Sequence, residues 1–506
     1  MRRFAMLLLG FTALVFAGSL VQAATEEEEM GGDKKFTIHG ELRFRGEWWQ
    51  NLTDFTDTDA ISDNSLANDS LDLYPYRVRL GARGDLGHDI WVYGEFQAAG
   101  LAGGGFFAET SPFFGDDTEV LDGGVNLYQG WIKAKDLGDS VTDLTFGRQE
   151  IVFDRGLHFS SLDFYNGISH DGVMGAWDWE DFAIHAFWIR PWESNQVLTA
   201  LDTSAAADDD TLGVHFTHTL GADRDMDVGY YVFYQLQNES ALTSAQDKGT
   251  IYTVGGRWGK AVEGKNGFVW NLEAAYQFGD FQPCAAEFTT YASLIFGPPA
   301  ACLDDPLDQA AFVFEGSGGY VWHSGKTDQK VWIGVTWASG DDDLTDEDQE
   351  SFQPLYTDFH NRLGYADLFT VTNINAYGAG YKANVDDRHV FGGSIYFFMQ
   401  DATESGTVSP VVRSFVTGVP LTLVGSCVDG VTTPAGESCD DELGMEVDIF
   451  YDFHLTENFS FDTALSLFDP GQAIEDDVTG FGTIAAFDGG GSDLAYRLTA
   501  QARARF

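Results

Sequence analysis

Arginine recurs at even spacing in three stretches: Arg43 and Arg45 in "ELRFRGE", Arg77, Arg79 and Arg83 in "YPYRVRLGARGD", and Arg497, Arg503 and Arg505 in "YRLTAQARARF". A guanidinium stays charged and presents a planar fork of donors that matches a carboxylate. Residues two apart on a strand share a face, so the chemistry on offer is recognition of anions along a surface. Signatures of bond-making are missing: the sequence holds no G-x-S-x-G, no H-E-x-x-H and no P-loop, and the Asp, His and Ser residues of "SSLDFYNGISHDG" make no triad without spatial support. We therefore expect no enzymatic activity and no cofactor.

These arginines stand in a very acidic chain, with 28 Lys+Arg against 79 Asp+Glu and a formal net charge of -51. That balance excludes nucleic-acid binding. Much of the acid sits in runs, "GDDTEV" near residue 115, "ADDD" at 207–210, "GDDDLTDEDQE" at 340–350, "CDDE" at 439–442 and "IEDD" at 474–477. Tried as an EF-hand loop, 341–352 places Asp346 where glycine is required and Phe352 where a bidentate Glu should stand. The runs read as solvated acidic faces, and no metal site is expected.

The elements that must carry the arginines follow from the ends and the periodicity. Arg2 and Arg3 precede an apolar run from Phe4 to Val21 that ends in "VQAATEEEE", which reads as a signal peptide over 1–23, followed by an acidic segment over 24–35. No later apolar run is long enough to cross a bilayer as a helix. The chain is instead rich in Gly (58), Phe (41), Tyr (19) and Trp (13), a mixture that suits strands with aromatic girdles. In "YRLTAQARARF" Tyr496, Leu498, Ala500, Ala502, Ala504 and Phe506 oppose Arg497, Thr499, Gln501, Arg503 and Arg505. In "FTIHGELRFRGEWW" Ile38, Leu42, Phe44 and Trp48 oppose His39, Glu41, Arg43, Arg45 and Glu47, and in "MDVGYYVFYQLQ" Val228, Tyr230, Val232, Tyr234 and Leu236 oppose Gln235 and Gln237. One face suits lipid and the other water.

About eighteen strands of this kind are predicted; they begin near residues 36, 71, 88, 125, 141, 171, 182, 210, 225, 250, 266, 310, 329, 368, 387, 442, 457 and 493. Tight turns such as "GDLGHD", "WEDF" and "LTEN" alternate with long connections. The fold class is all-β: a transmembrane antiparallel β-barrel over 36–506, with short periplasmic turns and long extracellular loops, in the outer membrane of a Gram-negative bacterium. Cys284 with Cys302 and Cys427 with Cys439 lie in Pro/Gly-rich loop segments, where local disulfides are expected in an exported protein.

The final strand, ending on Phe506, resembles the closing strand of bacterial outer-membrane barrels, whose terminal aromatic is read by the assembly machinery. Two further segments resemble the alginate-export family. In "LTFGRQEIVFDRGLHFSSLDFYNGISHDGV" the matching residues are Gly147, Arg148 and Gln149, then Asp171, Gly172 and Val173. In "WASGDDDLTDEDQESFQPLYTDFHNRLGYADLF" they are Ser339, Gly340 and Asp341, then Phe352, Pro354, Leu355 and Tyr356, then His360 and Gly364. The resemblance implies a monomeric barrel, among outer-membrane lipid and lipopolysaccharide, that passes an anionic carbohydrate such as a uronate polymer through an arginine-lined constriction.

On this reading Arg43, Arg45, Arg77, Arg79, Arg83, Arg497, Arg503 and Arg505 form one wall, because closure makes the first and last strands neighbours. Arg148 and Arg155 join it through an inward fold of the first family segment. Two features weigh toward a general or small-solute porin. The arginines could simply pair with Glu41, Glu47 and Glu95, and Glu446, Asp448, Asp452 and Asp462 are expected on an opposite wall, giving a transverse field. The sequence does not decide whether a long loop plugs the pore; the candidates for one are 101–124 and 341–365.

Overall fold

Strands with one apolar and one polar face, repeated around a closed sheet, are stable only where the outside is apolar and the inside wet. The computed structural model describes residues 35–51, 70–102, 125–137, 141–193, 208–221, 225–237, 249–262, 265–281, 306–342, 347–358, 360, 362–403, 412–413, 420–421, 440–475 and 493–506. The expected signal peptide, the loop 103–124 and all four cysteines lie outside the described residues.

Eighteen long strands form the wall. They are β1 (Phe36–Gln50), β2 (Pro75–Asp85), β3 (Ile90–Leu101), β4 (Val125–Ala134), β5 (Thr142–Gln149) and β6 (His170–Asp178). Next come β7 (Phe182–Glu193), β8 (Asp208–Leu220), β9 (Met226–Gln237), β10 (Gly249–Lys260), β11 (Gly267–Phe281) and β12 (Leu307–Ser324). The circuit ends with β13 (Thr327–Ala338), β14 (Ile374–Asn384), β15 (His389–Met399), β16 (Glu442–Thr456), β17 (Phe459–Pro470) and β18 (Ala495–Arg505). Each pairs antiparallel with its sequence neighbours, and β18 closes on β1 from Glu41↔Arg505 to Gln50↔Tyr496. The count is therefore eighteen, and no long strand is left with a free edge.

The outer face is an apolar belt, with Leu80 54%, Ile333 69% and Phe268 75% exposed, while Arg77 between Tyr76 and Val78 is 0% exposed. The strand expected near 368 starts at Ile374. The apolar residues before it serve another purpose: Leu368, Phe369 and Val371 are buried inside the barrel.

The interior is not simply wet. Two connections between strands, 150–169 and 350–373, fold inward and build an apolar core with the inner faces of the strands. Phe159, Leu157, Phe352, Leu363 and Phe369 pack there against Phe187 and Ile189 of β7, Tyr231 and Phe233 of β9, Phe398 of β15 and Phe468 of β17. Each such side chain contributes roughly 1.5–3 kcal/mol, so burial is the main force holding both connections inside. Of the two candidate plugging loops, 341–365 overlaps the second connection. The first, 150–169, is the one into which the family segment was expected to turn.

Candidate functional site

The arginines of β1, β2 and β18 face inward, but most do not face water. Arg43, Arg45, Arg77 and Arg79 are buried under the first connection, and Arg497 is buried beside the second. Arg43 donates to the carbonyls of Asp163 and Tyr165, and Arg45 to that of Phe164 at 2.5 Å. Arg77 reaches Asp163 Oδ1 at 2.6 Å and Glu41 Oε1 at 2.5 Å. Arg79 donates to the Asn166 carbonyl at 2.7 Å, and its guanidinium lies 3.7 Å from the Tyr128 ring centroid. This close approach requires a glycine: Gly167 has φ +85°, and a Cβ there would stand 2.3 Å from Arg79 Nη2. Burial alone would raise the Asp163 carboxyl, but Arg77, Arg43 and Arg79 overturn that and hold it well below the usual range.

The second connection is held by the opposite chemistry. Glu446 on β16 accepts from the Ala366 backbone N–H at 2.8 Å and Asp448 from that of Tyr365 at 3.4 Å. Gly364, at φ +92°, lies against Glu446, where a Cβ would meet Oε1 at 2.3 Å. Arg497 on β18 binds Asp367 and Glu47 together, the latter at 2.8 Å. His360 Nδ1 lies 2.7 Å from Asp367, and the Tyr165 hydroxyl donates to the same carboxylate at 2.5 Å. Against the burial that would raise it, His360 and Arg497 hold Asp367 at about 2.

The two connections are also tied to each other. Residues Phe159 and Tyr356 form a parallel bridge, Tyr356 N donates to His158 O at 2.7 Å, and the rings of Phe164 and His360 stack 3.4 Å apart. His158 is buried among Tyr231, Phe233 and Phe352 with neither ring nitrogen hydrogen-bonded. Burial, and secondarily Arg362, lowers its pKa to about 3, so the ring is neutral.

Three sequence expectations change. Arg148 is not on the inner face: it shares the outer face of β5 with Leu144 and Phe146, which is 47% exposed, and pairs there with Asp171 at 2.6 Å. Period two from Phe146 dictates this. The carboxylates of β16 and β17 do not form a wall opposite the arginines, because only β17 and β18 separate β16 from β1. Acid and base are neighbours, and Arg503 lies 3.6 Å from Asp163 and 3.5 Å from Asp462. Finally, Glu41 and Glu47 do pair with arginines, whereas Glu95 lies against Gln129 at 3.3 Å and His39 at 4.0 Å.

A cavity of about 350 Å³ lies on the other side of the connections. Arg155, from the first connection, lines it, together with Lys330, Trp332, Lys382 and Tyr396 from β13, β14 and β15, and Tyr365 from the second connection. Arg155, Lys330 and Lys382 are exposed and make no ion pair among the described residues. Arg83 and Arg505 are exposed on the inner face near the periplasmic turns, the latter 3.2 Å from Glu41. Sequence reasoning named Arg155 but missed both lysines, although period two from Trp332 puts Lys330 on its face.

The model of the alginate export family matches residues 109–482. No curated protein sequence matches the chain. Among solved structures, Pseudomonas aeruginosa OpdK with vanillate is similar over 93% of this chain and 99% of its own, at 10% identity and a TM-score of 0.51. Pseudomonas aeruginosa OccK8 (OprE) is similar over 94% of this chain and 98% of its own, at 10% identity and a TM-score of 0.50. At such identity these likenesses speak for the fold, and the family match covers most of the chain. The chain belongs to the alginate export family and is an outer-membrane β-barrel channel.

Proposed function

We propose that the barrel passes an acidic polysaccharide or oligosaccharide of the alginate-like uronate kind, passively and without a cofactor. The observation that carries this reading is the cavity lined by Arg155, Lys330 and Lys382, three cations without ion pairs among the described residues in a chain of net charge -51. Charged groups lining a pore select by sign. Arg83, Arg503 and Arg505 extend the positive surface toward the periplasmic mouth. Arg43, Arg45, Arg77, Arg79 and Arg497 act at one remove, by holding the two connections that narrow the lumen. Phe506, whose ring lies against Gly40 in the closing seam, is the proposed signal to the assembly machinery. One chain closes the barrel, so a monomer suffices.

A small carboxylate is a second reading, favoured by the cavity's volume, which lies at the low end for sites that enclose a small molecule; the similar OpdK structure holds vanillate, itself a carboxylate. Oligouronates of graded length, added to one side of single channels in a planar bilayer, separate the two. Transit of a polymer gives current blockades whose duration grows with chain length. Blockades that occur only with the monomer support the small-solute reading, and a cation-selective current untouched by any uronate refutes both.

A further inference from the structure

We propose that Lys330, Lys382 and Trp332 form a discrete subsite for a single uronate residue, its carboxylate between the two ammonium groups and its pyranose face on the indole. This deepens the proposed passage of acidic saccharides and rests on that reading for its ligand class. Lys330 and Lys382 stand directly opposite one another in the β13–β14 register. Like charges facing across a strand pair destabilise a sheet, yet no described carboxylate pairs with either lysine. Asp452 lies within electrostatic reach of Lys382 without an ion pair. A repulsive pair of this kind is relieved by an anion that both ammonium groups can bind.

Trp332, two residues from Lys330 on the same face, supplies the rest of the site. Gly380 is its direct partner across the strand pair. A Cβ on Gly380 would stand 2.6 Å from the indole nitrogen and one on Gly378 3.1 Å from the ring. The two glycines let the indole lie on the wall of β14, while its remaining surface lines the cavity. Tyr396 closes one side, its ring centroid 5.9 Å from that of Trp332 at 50°. Two cations beside a flat aromatic surface fit a ring that bears a carboxylate better than either a neutral sugar or a small acid.

The test is ligand-detected saturation-transfer NMR of D-glucuronate with the full chain in detergent, with glucose and propionate as controls. Glucuronate should bind saturably with transfer to its ring protons; glucose, which lacks the carboxylate for the two lysines, and propionate, which lacks the pyranose face for Trp332, should each bind about tenfold more weakly. Lys330→Met and Lys382→Met should each weaken binding about tenfold or more and leave thermal stability equal or higher, since each removes a repulsion. Trp332→Leu should abolish ring-proton transfer. Equal binding of glucose and glucuronate, parent-like binding in both lysine variants, or lysine variants less stable than the parent would overturn the subsite. Polymer transit without glucuronate binding overturns the subsite alone; glucuronate binding without polymer transit overturns the transport reading alone.

Discussion

Arg497→Met is the sharpest perturbation of the lumen. The guanidinium is buried and serves Asp367, Glu47 and the Tyr365 carbonyl at 3.0 Å. Methionine fills similar space but leaves two buried carboxylates short of a partner. Removing one member of a buried pair costs about 3–5 kcal/mol. The lower end applies here, because Glu47 keeps Arg45 at 2.6 Å and Asp367 keeps His360 at 2.7 Å. A loss of about 3 kcal/mol raises the population in which the second connection is released by about a hundredfold. The β-barrel itself should stay folded, since its strand ladders are untouched. Hydrogen exchange of backbone amides in 362–371, read by mass spectrometry, should therefore accelerate about a hundredfold while the strand amides exchange as before. Exchange in 362–371 within about threefold of the parent would refute the role assigned to Arg497. Adding Asp367→Asn should recover part of the loss, because one of the two stranded charges is then gone.

Other consequences are as direct. Arg77→Ala should speed exchange of residues 161–167 and lower stability at that connection by about 3 kcal/mol, the low end for breaking a buried pair, because Asp163 keeps Arg79 at 3.2 Å and Glu41 keeps Arg505 at 3.2 Å; a change confined to ion selectivity, with exchange unaltered, would place Arg77 in the open lumen after all. Gly364→Ala should destabilise the second connection by at least about 1–3 kcal/mol, because alanine at φ +92° is strained and its Cβ meets Glu446; parent-like thermal stability would contradict that packing. His158 has a lowered pKa in the closed form, about 3 against 6.5, so the open form binds the extra proton. Closure of the first connection is then complete above about 6.5 and weakens by up to about tenfold per pH unit as pH falls toward 3. His158→Phe should remove that slope, and an unchanged pH profile of exchange in 156–160 would refute it.

The barrel was legible because period two is a local signal: Val78 and Leu80 against Arg77 and Arg79 already state which side is lipid. The inward connections were partly legible and passed over. "MDVGYYVFYQLQ" carries Tyr231 and Phe233 on the face opposite Tyr230 and Val232, and a strand apolar on both faces must be covered on both. The fate of the arginines was half legible. Their pairing with Glu41 and Glu47 was open to view in the sequence and is found, whereas the backbone carbonyls of Asp163, Phe164, Tyr165 and Asn166 that also hold them lie more than eighty positions from Arg77 and Arg79 and carry no side-chain pattern. The lysine pair needed the β13–β14 register, which the residue spacing of "DQKVW" and "GYKAN" does not supply. Arg148 sits outside for a simpler reason: the alternation running from Leu144 through Phe146 carries it to the lipid face, and the family motif around it does not alter that period.

The reversal potential of the single channel under a salt gradient, compared between the parent and the triple variant Arg155→Gln, Lys330→Gln, Lys382→Gln, tests the central claim most directly. Anion selectivity in the parent that falls toward neutrality in the triple variant is the predicted result. A cation-selective parent, or a reversal potential unmoved by the three substitutions, would contradict it.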